Sequence, residues 1–156
     1  MQRISPCLWF DDKAEAAARF YTSILPNSKI VATTHYGAHG PRPKGTVMTV
    51  LFQLNGQEFM ALNGGPEFQH SPAISFMVKC ETQEEIDRYW DKLSADPSFE
   101  QCGWLKDKFG VSWQIVPAIL DRLLTDPDPM KVDRVMSAVM KMKKLDLAEL
   151  KRAHAG

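Results

Sequence analysis

The sequence predicts an α+β chain made of two successive strand–helix–strand units followed by a helical tail. Three observations predict it. Two apolar, strand-like runs each lead into a capping-box pattern, Asp12 with Glu15 and Thr82 with Glu85, in which two side chains three residues apart satisfy the free amides of a helix start. Asn55-Gly56 separates two further strand-like runs, and that dipeptide tolerates the positive φ angles of a tight hairpin turn. Finally, Arg19-Phe20-Tyr21 echoes Arg88-Tyr89-Trp90, and Leu8-Trp9-Phe10 precedes the first helix where Val78-Lys79-Cys80 precedes the second, a weak internal repeat of about 70 residues.

Composition narrows the class of partner. At 156 residues the chain is long enough for one domain with a real core and too short for two ordinary ones. Nineteen Lys and Arg balance nineteen Asp and Glu, so nothing advertises a nucleic acid or an anionic membrane, and a small-molecule ligand is expected instead. The three cysteines, Cys7, Cys80 and Cys102, are odd in number and lack metal-type spacing. Cys7 and Cys80 lie in apolar runs and read as buried, inert thiols, which suits a reducing cytoplasm. No apolar run approaches the roughly 18 residues that span a bilayer, and MQRISPC lacks the apolar core of a signal peptide. The expected location is cytoplasmic.

Taken in order, residues 4–10 form a short strand, and Pro6, which has no N–H for a ladder, marks it as an edge. Asp12 opens a helix with Ala14, Ala17, Ala18, Tyr21, Ile24 and Leu25 on one stripe, and Pro26 ends it. Residues 28–36 read as a strand and residues 37–43 as a loop crowded with Gly and Pro. Residues 46–54 and 58–62 are strands joined at Asn55-Gly56, and Asn63-Gly64-Gly65-Pro66 closes the first half. The second half repeats the order with a strand at 73–80, a helix buried along Ile86, Tyr89, Trp90 and Leu93, and then short strands.

Residues 102–117, CGWLKDKFGVSWQIVP, read as a hairpin. Trp104 and Leu105 enter, residues 106–110 reverse the chain, and residues 111–116 return with β-branched and aromatic side chains suited to a pleated surface. Asp107 is placed to hydrogen-bond the turn backbone. Beyond Pro117 the pattern becomes helical: residues 119–124, then a helix with Pro129 at its first position and Val132, Val135, Met136, Val139 and Met142 on its stripe. A last short helix starts at Asp146 with Glu149 as its capping partner and carries Leu147 and Leu150. This tail is expected to pack on its own sheet, with a role in dimer contacts as the alternative. His35, His39 and His70 read as solvated loop side chains, and His154 as part of a frayed tail.

The strings SPCLWFDDKAEAAARFY, FMALNGGPEF, SPAISFMVKCETQEEIDRYWDKLS, CGWLKDKFGVSWQIVP and PMKVDRVMSAVMKMKKLDLAEL resemble the PhnB-like, or 3-demethylubiquinone-9 3-methyltransferase-like, group of the vicinal oxygen chelate superfamily, which has the glyoxalase and bleomycin-resistance fold. The resemblance covers nearly the whole chain. It implies a single domain over 1–156: two βαβββ modules, about 1–66 and about 70–117, forming a cupped mixed sheet around a small-molecule pocket, with a helical tail at 118–156 and a homodimeric assembly.

That superfamily commonly holds a divalent metal with His and Glu side chains from strands lining the cup. The matching positions here fall at about Ser5, Ala73, Phe59 and Gln114, none of which is an anionic or imidazole donor. The expectation is a metal-free pocket with no cofactor. No Gly-rich strand-to-helix loop of the kind that approaches S-adenosylmethionine is present either. Strand alternation puts Ser5, Cys7 and Trp9 on one face. The resemblance makes that face the cup side, together with Phe59, Ala61 and Asn63, then Ala73, Ser75 and Met77, then Ser112, Gln114 and Val116. The expected ligand-binding set is Ser5, Cys7, Trp9, Phe59, Asn63, Ser75, Trp104 and Gln114, in an aromatic, sulfur-rich pocket with a few hydrogen-bonding groups. Core packing remains open for Trp9, Phe59 and Trp104, and a satisfied buried pair for Gln114 and Ser75. The expected function is small-molecule binding of unassigned activity; the alternatives are a metal-dependent lyase, isomerase or dioxygenase and a drug-sequestering resistance protein.

Overall fold

In the computed structural model, which describes residues 3–156, the chain divides into two compact units, one ending at His70 and the other beginning at Ser71. The first unit runs β1 (Cys7–Phe10), α1 (Ala14–Ile24), β2 (Lys29–His35), β3 (Val47–Leu54) and β4 (Gln57–Asn63). Its sheet has the order β1-β4-β3-β2, so the strand interrupted upstream by Pro6 is indeed at an edge. β1 and β4 run parallel; the other neighbours are antiparallel. Asn55 (φ 47) and Gly56 (φ 80) take the left-handed conformations that the β3–β4 hairpin requires.

Helix α1 covers one face of this sheet. Ala14, Ala17, Ala18 and Tyr21 are buried, and the small alanines let the helix approach while the Tyr21 ring stacks on Phe52, which in turn stacks on Phe59. Val50, Phe52 and Ala61 are fully buried in this layer, each apolar side chain stabilising the fold by about 1.5 to 3 kcal/mol for the larger ones.

The start of α1 departs from the expected capping box. Lys13 stands at the N-cap with no side-chain capping bond, and Ala14 N–H donates instead to Asn63 Oδ1 at 2.8 Å. Asn63 is almost fully buried, its Nδ2 donates to the Val47 carbonyl at 3.1 Å, and its own carbonyl accepts from Tyr36 Oη at 2.5 Å. The side-chain amide thus ties the helix start and β3 to the end of β4, and the backbone carbonyl of the same residue adds the loop after β2.

The second unit contains β5 (Ser75–Cys80), α2 (Gln83–Leu93), a 3-10 turn (Pro97–Phe99), β6 (Trp104–Lys106), β7 (Ser112–Pro117), α3 (Leu120–Leu124), α4 (Pro129–Val139) and α5 (Leu147–Ala155). Its sheet has three strands in the order β5-β7-β6, with β5 and β7 parallel. The architecture is therefore α+β with two mixed sheets, of four and three strands, and a helical C-terminal tail. Where the first unit has β2, the second has the Pro97 turn, whose start is capped by the Asp96 carboxylate accepting from Ser98 N–H. Among the described residues this sheet has no fourth strand, unlike the expected module.

Helix α2 keeps its expected cap, Glu85 N–H donating to Thr82 Oγ1 at 3.2 Å, and buries Ile86, Tyr89, Trp90 and Leu93. The β6–β7 hairpin is held by Asp107, only 4% exposed. Its carboxylate accepts from the N–H groups of Phe109 and Val111 and from the Trp113 indole N–H, at 2.8, 3.0 and 2.8 Å. The tail packs on its own unit: Val116 at the end of β7 joins Leu123, Val135, Val139, Leu145 and Leu150 in one apolar cluster. Gln83 on α2 fastens it, donating to the Leu145 carbonyl and accepting from Leu147 N–H.

The cap assignment gives a direct test by urea denaturation. Asn63→Ala is expected to lower stability by about 2 to 4 kcal/mol, because it strands buried partners at both ends of the amide, whereas Asp12→Ala stays within about 0.5 kcal/mol. A larger loss for Asp12→Ala would restore the local capping box.

Candidate functional site

Each sheet has one face covered by its helix and one that is not, and the strand register decides which side chains reach the open face. In the first sheet Cys7 lies beside Met60 and Trp9 beside Leu62, while Leu8 pairs with Ala61 and Phe10 with Asn63. Leu8 and Phe10 are buried with the helix-side residues, so the open face carries Ser5, Cys7, Trp9, Glu58, Met60 and Leu62. This corrects the placement of Phe59, Ala61 and Asn63. They lie on the α1 side, where Phe59 stacks on Phe52 and Asn63 caps the helix. The register of β4 against β1 differs by one residue from the expected alternation, and in a strand such a shift moves every side chain to the other face.

The offset also hid a carboxylate. Glu58 is on the open side and accepts from Ser5 Oγ at 3.2 Å. Trp9 is half-buried and firmly held. Its indole N–H donates to the Gly65 carbonyl at 2.8 Å, its ring meets Phe68 edge-on at 5.0 Å, and a Cβ on Gly64 would fall 2.4 Å from that ring. Glycine is required there because the indole lies against the backbone.

In the second sheet the expected residues do come together. Ser75 pairs with Ser112, Met77 with Gln114, and Trp104 with Gln114 from the other side. Phe76, Trp113 and Ile115 point the opposite way, with Phe76 and Trp113 in ring contact and Ile115 fully buried. Gln114 Nε2 donates to Ser75 Oγ at 2.9 Å. Ser112, next on the same face, is 2% exposed, and its hydroxyl has no hydrogen-bond partner. Met77 is half exposed, and the tail closes the end of this face at Val116, where Lys79 pairs with Asp121 of the α3 start.

The histidines and cysteines need three corrections. His70 is not a solvated loop residue: its ring packs at 5.1 Å from Phe10, and its Nε2 is buried without a partner. His154 is not frayed, since it lies in α5, is half-buried, and bonds Asp126 Oδ2 through Nε2 at 2.8 Å. Cys7 is exposed as a residue, although partial desolvation of its sulfur still raises the thiol pKa. Cys80 is buried as expected; desolvation, followed by the nearby Glu85 charge, pushes its pKa up to about 12. Neither sulfur has the depressed pKa that a thiolate nucleophile needs. His35 and His39 are exposed, as expected.

Comparison with known proteins places this geometry. Residues 2–116 match the family described as 3-demethylubiquinone-9 3-methyltransferase, and that match ends at the close of β7, short of the tail. The PhnB protein of Bacillus cereus is 43% identical over 75% of this chain and 100% of its own, with a TM-score of 0.64. A Pseudomonas aeruginosa protein is 21% identical, covering 75% and 98% of the two chains, at a TM-score of 0.57. A variant of the fosfomycin resistance protein FosX from Listeria monocytogenes, solved with Mn(II) and a dihydroxypropylphosphonic acid, shares the fold at 14% identity, 80% and 97% coverage and a TM-score of 0.53. No curated protein is significantly similar to the chain.

Neither group implied by these relatives fits the residues present. Among the described residues no three His, Cys, Asp or Glu side chains converge, and the second sheet's open face offers only neutral oxygens and an amide. A divalent cation held there would lack the charged donors that offset its dehydration. A bound S-adenosylmethionine would need a glycine turn between strand and helix, whereas β1 leads into α1 through Asp11-Asp12-Lys13 and β5 into α2 through Glu81-Thr82.

The raised Cys80 pKa has a measurable sign. The folded thiol stays neutral until well above the range where the unfolded thiol ionises, so alkylation by iodoacetamide at pH 8.5 should run at least about a hundredfold slower in native protein than in urea. Comparable rates, read by peptide mass spectrometry, would contradict the burial of this sulfur.

Proposed function

The chain belongs to the 3-demethylubiquinone-9 3-methyltransferase family, and from that premise we propose that it is a small-molecule-binding protein whose ligand sits on the open face of the second sheet without a metal ion. The observation that carries this reading is the half-buried Gln114–Ser75 pair, whose amide and hydroxyl stay within reach of a ligand on this face. The buried Ser112 hydroxyl beneath this pair has no partner, which costs about 1 to 3 kcal/mol. Trp104, half-buried across from Gln114, supplies a flat surface on which a planar ligand stacks, and Met77 adapts to its outline. Gln114 and Ser75 orient the ligand's polar edge.

Ser5, Cys7 and Trp9 line the open face of the first sheet beside Met60 and Leu62, where Glu58 gives them one anionic neighbour. That face is a second, more apolar ligand surface in this reading. Phe59 and Asn63 serve the core and are left out of the set. Methyl transfer is not carried over from the family's name, because neither strand-to-helix turn accommodates the cofactor. The lyase or isomerase alternative asks for a metal or an acid–base pair among Ser75, Ser112 and Gln114, and these side chains are neutral. Exposed Ile4, Val31 and Phe68 on the first unit support a homodimer, and three free thiols support a reducing, cytoplasmic setting. No helix among the described residues is long and apolar enough to cross a membrane.

Two measurements test the proposal. Ser112→Ala should raise the stability of the ligand-free protein by about 1 kcal/mol, since it removes an unsatisfied buried group. A loss instead would mean that the hydroxyl already has a structural partner. In a thermal-shift screen of planar polar metabolites, a hit at a hundred times its Kd should add about 2.7 kcal/mol of stability, and Gln114→Leu should abolish that gain. No hit, or a hit indifferent to Gln114, would overturn the assignment.

A further inference from the structure

The tail, which lies beyond the matched family region, has a cleft of its own. Ile119, Arg122, Leu123, Asp126, Lys151 and His154 line a volume of about 490 Å³ between α3 and α5. Its floor is apolar, with Leu123 only 4% exposed, and its rim is basic. The walls are held in place. Arg134 donates from Nε to the Ala153 carbonyl at 2.8 Å and from a terminal guanidinium nitrogen to the His154 carbonyl at 3.0 Å, securing the end of α5. His154 is clasped by Asp126 across the cleft.

The charges around this cleft are unevenly spent. Asp121 is paired with Lys79, and Glu149 with Arg152. Asp126 accepts from Asp128 N–H and from His154, with Lys131 at 4.0 Å. Every acid near the cleft therefore has a partner. Among the described residues, Arg122 and Lys151 have no ion pair and no side-chain hydrogen bond. Two unpaired cations over an apolar floor are complementary to one kind of molecule, a compact anion with an apolar body. The guanidinium fork suits the paired oxygens of a carboxylate or phosphate, and the lysine adds a point charge.

We propose that this cleft is a second ligand site that binds a small organic anion, with its oxyanion between Arg122 and Lys151 and its apolar body on Ile119 and Leu123. The site is independent of the open sheet faces and does not rest on their function. Because both cations are solvent-exposed, affinity is modest, with Kd on the order of 0.1 to 1 mM for a ligand of this size.

The test is NMR titration of the full chain, following Leu123 methyl and His154 ring resonances, with hexanoate and hexyl phosphate as probes and hexanol and inorganic phosphate as controls. At least one of the two amphipathic anions should shift these resonances saturably, and comparing them tells a carboxylate from a phosphate head. The double variant Arg122→Gln with Lys151→Gln should weaken that binding about tenfold or more, while Lys141→Gln, an exposed cation elsewhere on the tail, leaves it unchanged. Three results would each overturn the proposal: no saturable shift from either anion, an equal loss in Lys141→Gln, or equally tight binding of hexanol or inorganic phosphate.

Discussion

In both units the first strand pairs in parallel with the last, and this pairing decides what the protein offers a ligand. Cys7 against Met60 and Trp9 against Leu62 set the parity of the first sheet, and Ser75 against Ser112 and Met77 against Gln114 set that of the second. Side chains alternate faces along a strand, so once these partners are chosen every other residue is assigned to the helix side or the open side. The helices reinforce the choice by burying one parity under Ala17 and Tyr21 in the first unit and under Trp90 and Ile86 in the second.

The same constraint sorts the polar residues into two jobs. Asn63 and Asp107 are buried polar side chains with several hydrogen bonds each, and both are committed to the fold. Asn63 holds the start of α1, and Asp107 closes the β6–β7 turn on the Trp113 indole. Their burial would be costly were their bonds unmade, and each bond they make restricts the backbone to one arrangement. On the open side of the second sheet the polar groups are fewer and less satisfied. Gln114 and Ser75 bond each other, Ser112 bonds nothing, and no charged donor stands among them. A surface of this kind recognises organic molecules by hydrogen bonding and stacking, and it is poorly suited to hold a divalent cation.

Local features were legible in the sequence. The α2 cap at Thr82, the Asn55-Gly56 turn, Pro129 at the start of α4, the Asp107 turn and the apolar stripes of the helices all depend on residues within a few positions of one another, and all are found where the pattern placed them. The features that misled depend on distant partners. Nothing within residues 57–63 tells which parity of β4 meets β1, so the sequence pattern places Phe59 and Asn63 on the open face, where the structure has Glu58 instead. The α1 cap is supplied from 49 residues away by Asn63, although a plausible local cap, Asp12, stands at hand. His154 looked like the end of a fraying chain because the Asp126 that holds it lies across a helix pair. Ser75, Trp104 and Gln114 converge as expected, since the hairpin and the parallel β5–β7 pair were both recognisable.

The open face of the second sheet offers neutral recognition groups, whereas a bound divalent cation would need charged donors. The most direct measurement is a Mn(II) titration of the full chain followed by electron paramagnetic resonance of the free ion. The free-ion signal is expected to grow in proportion to added metal through micromolar concentrations, as it does in buffer. Stoichiometric loss of that signal, reversed by Gln114→Ala or Glu58→Gln, would contradict it.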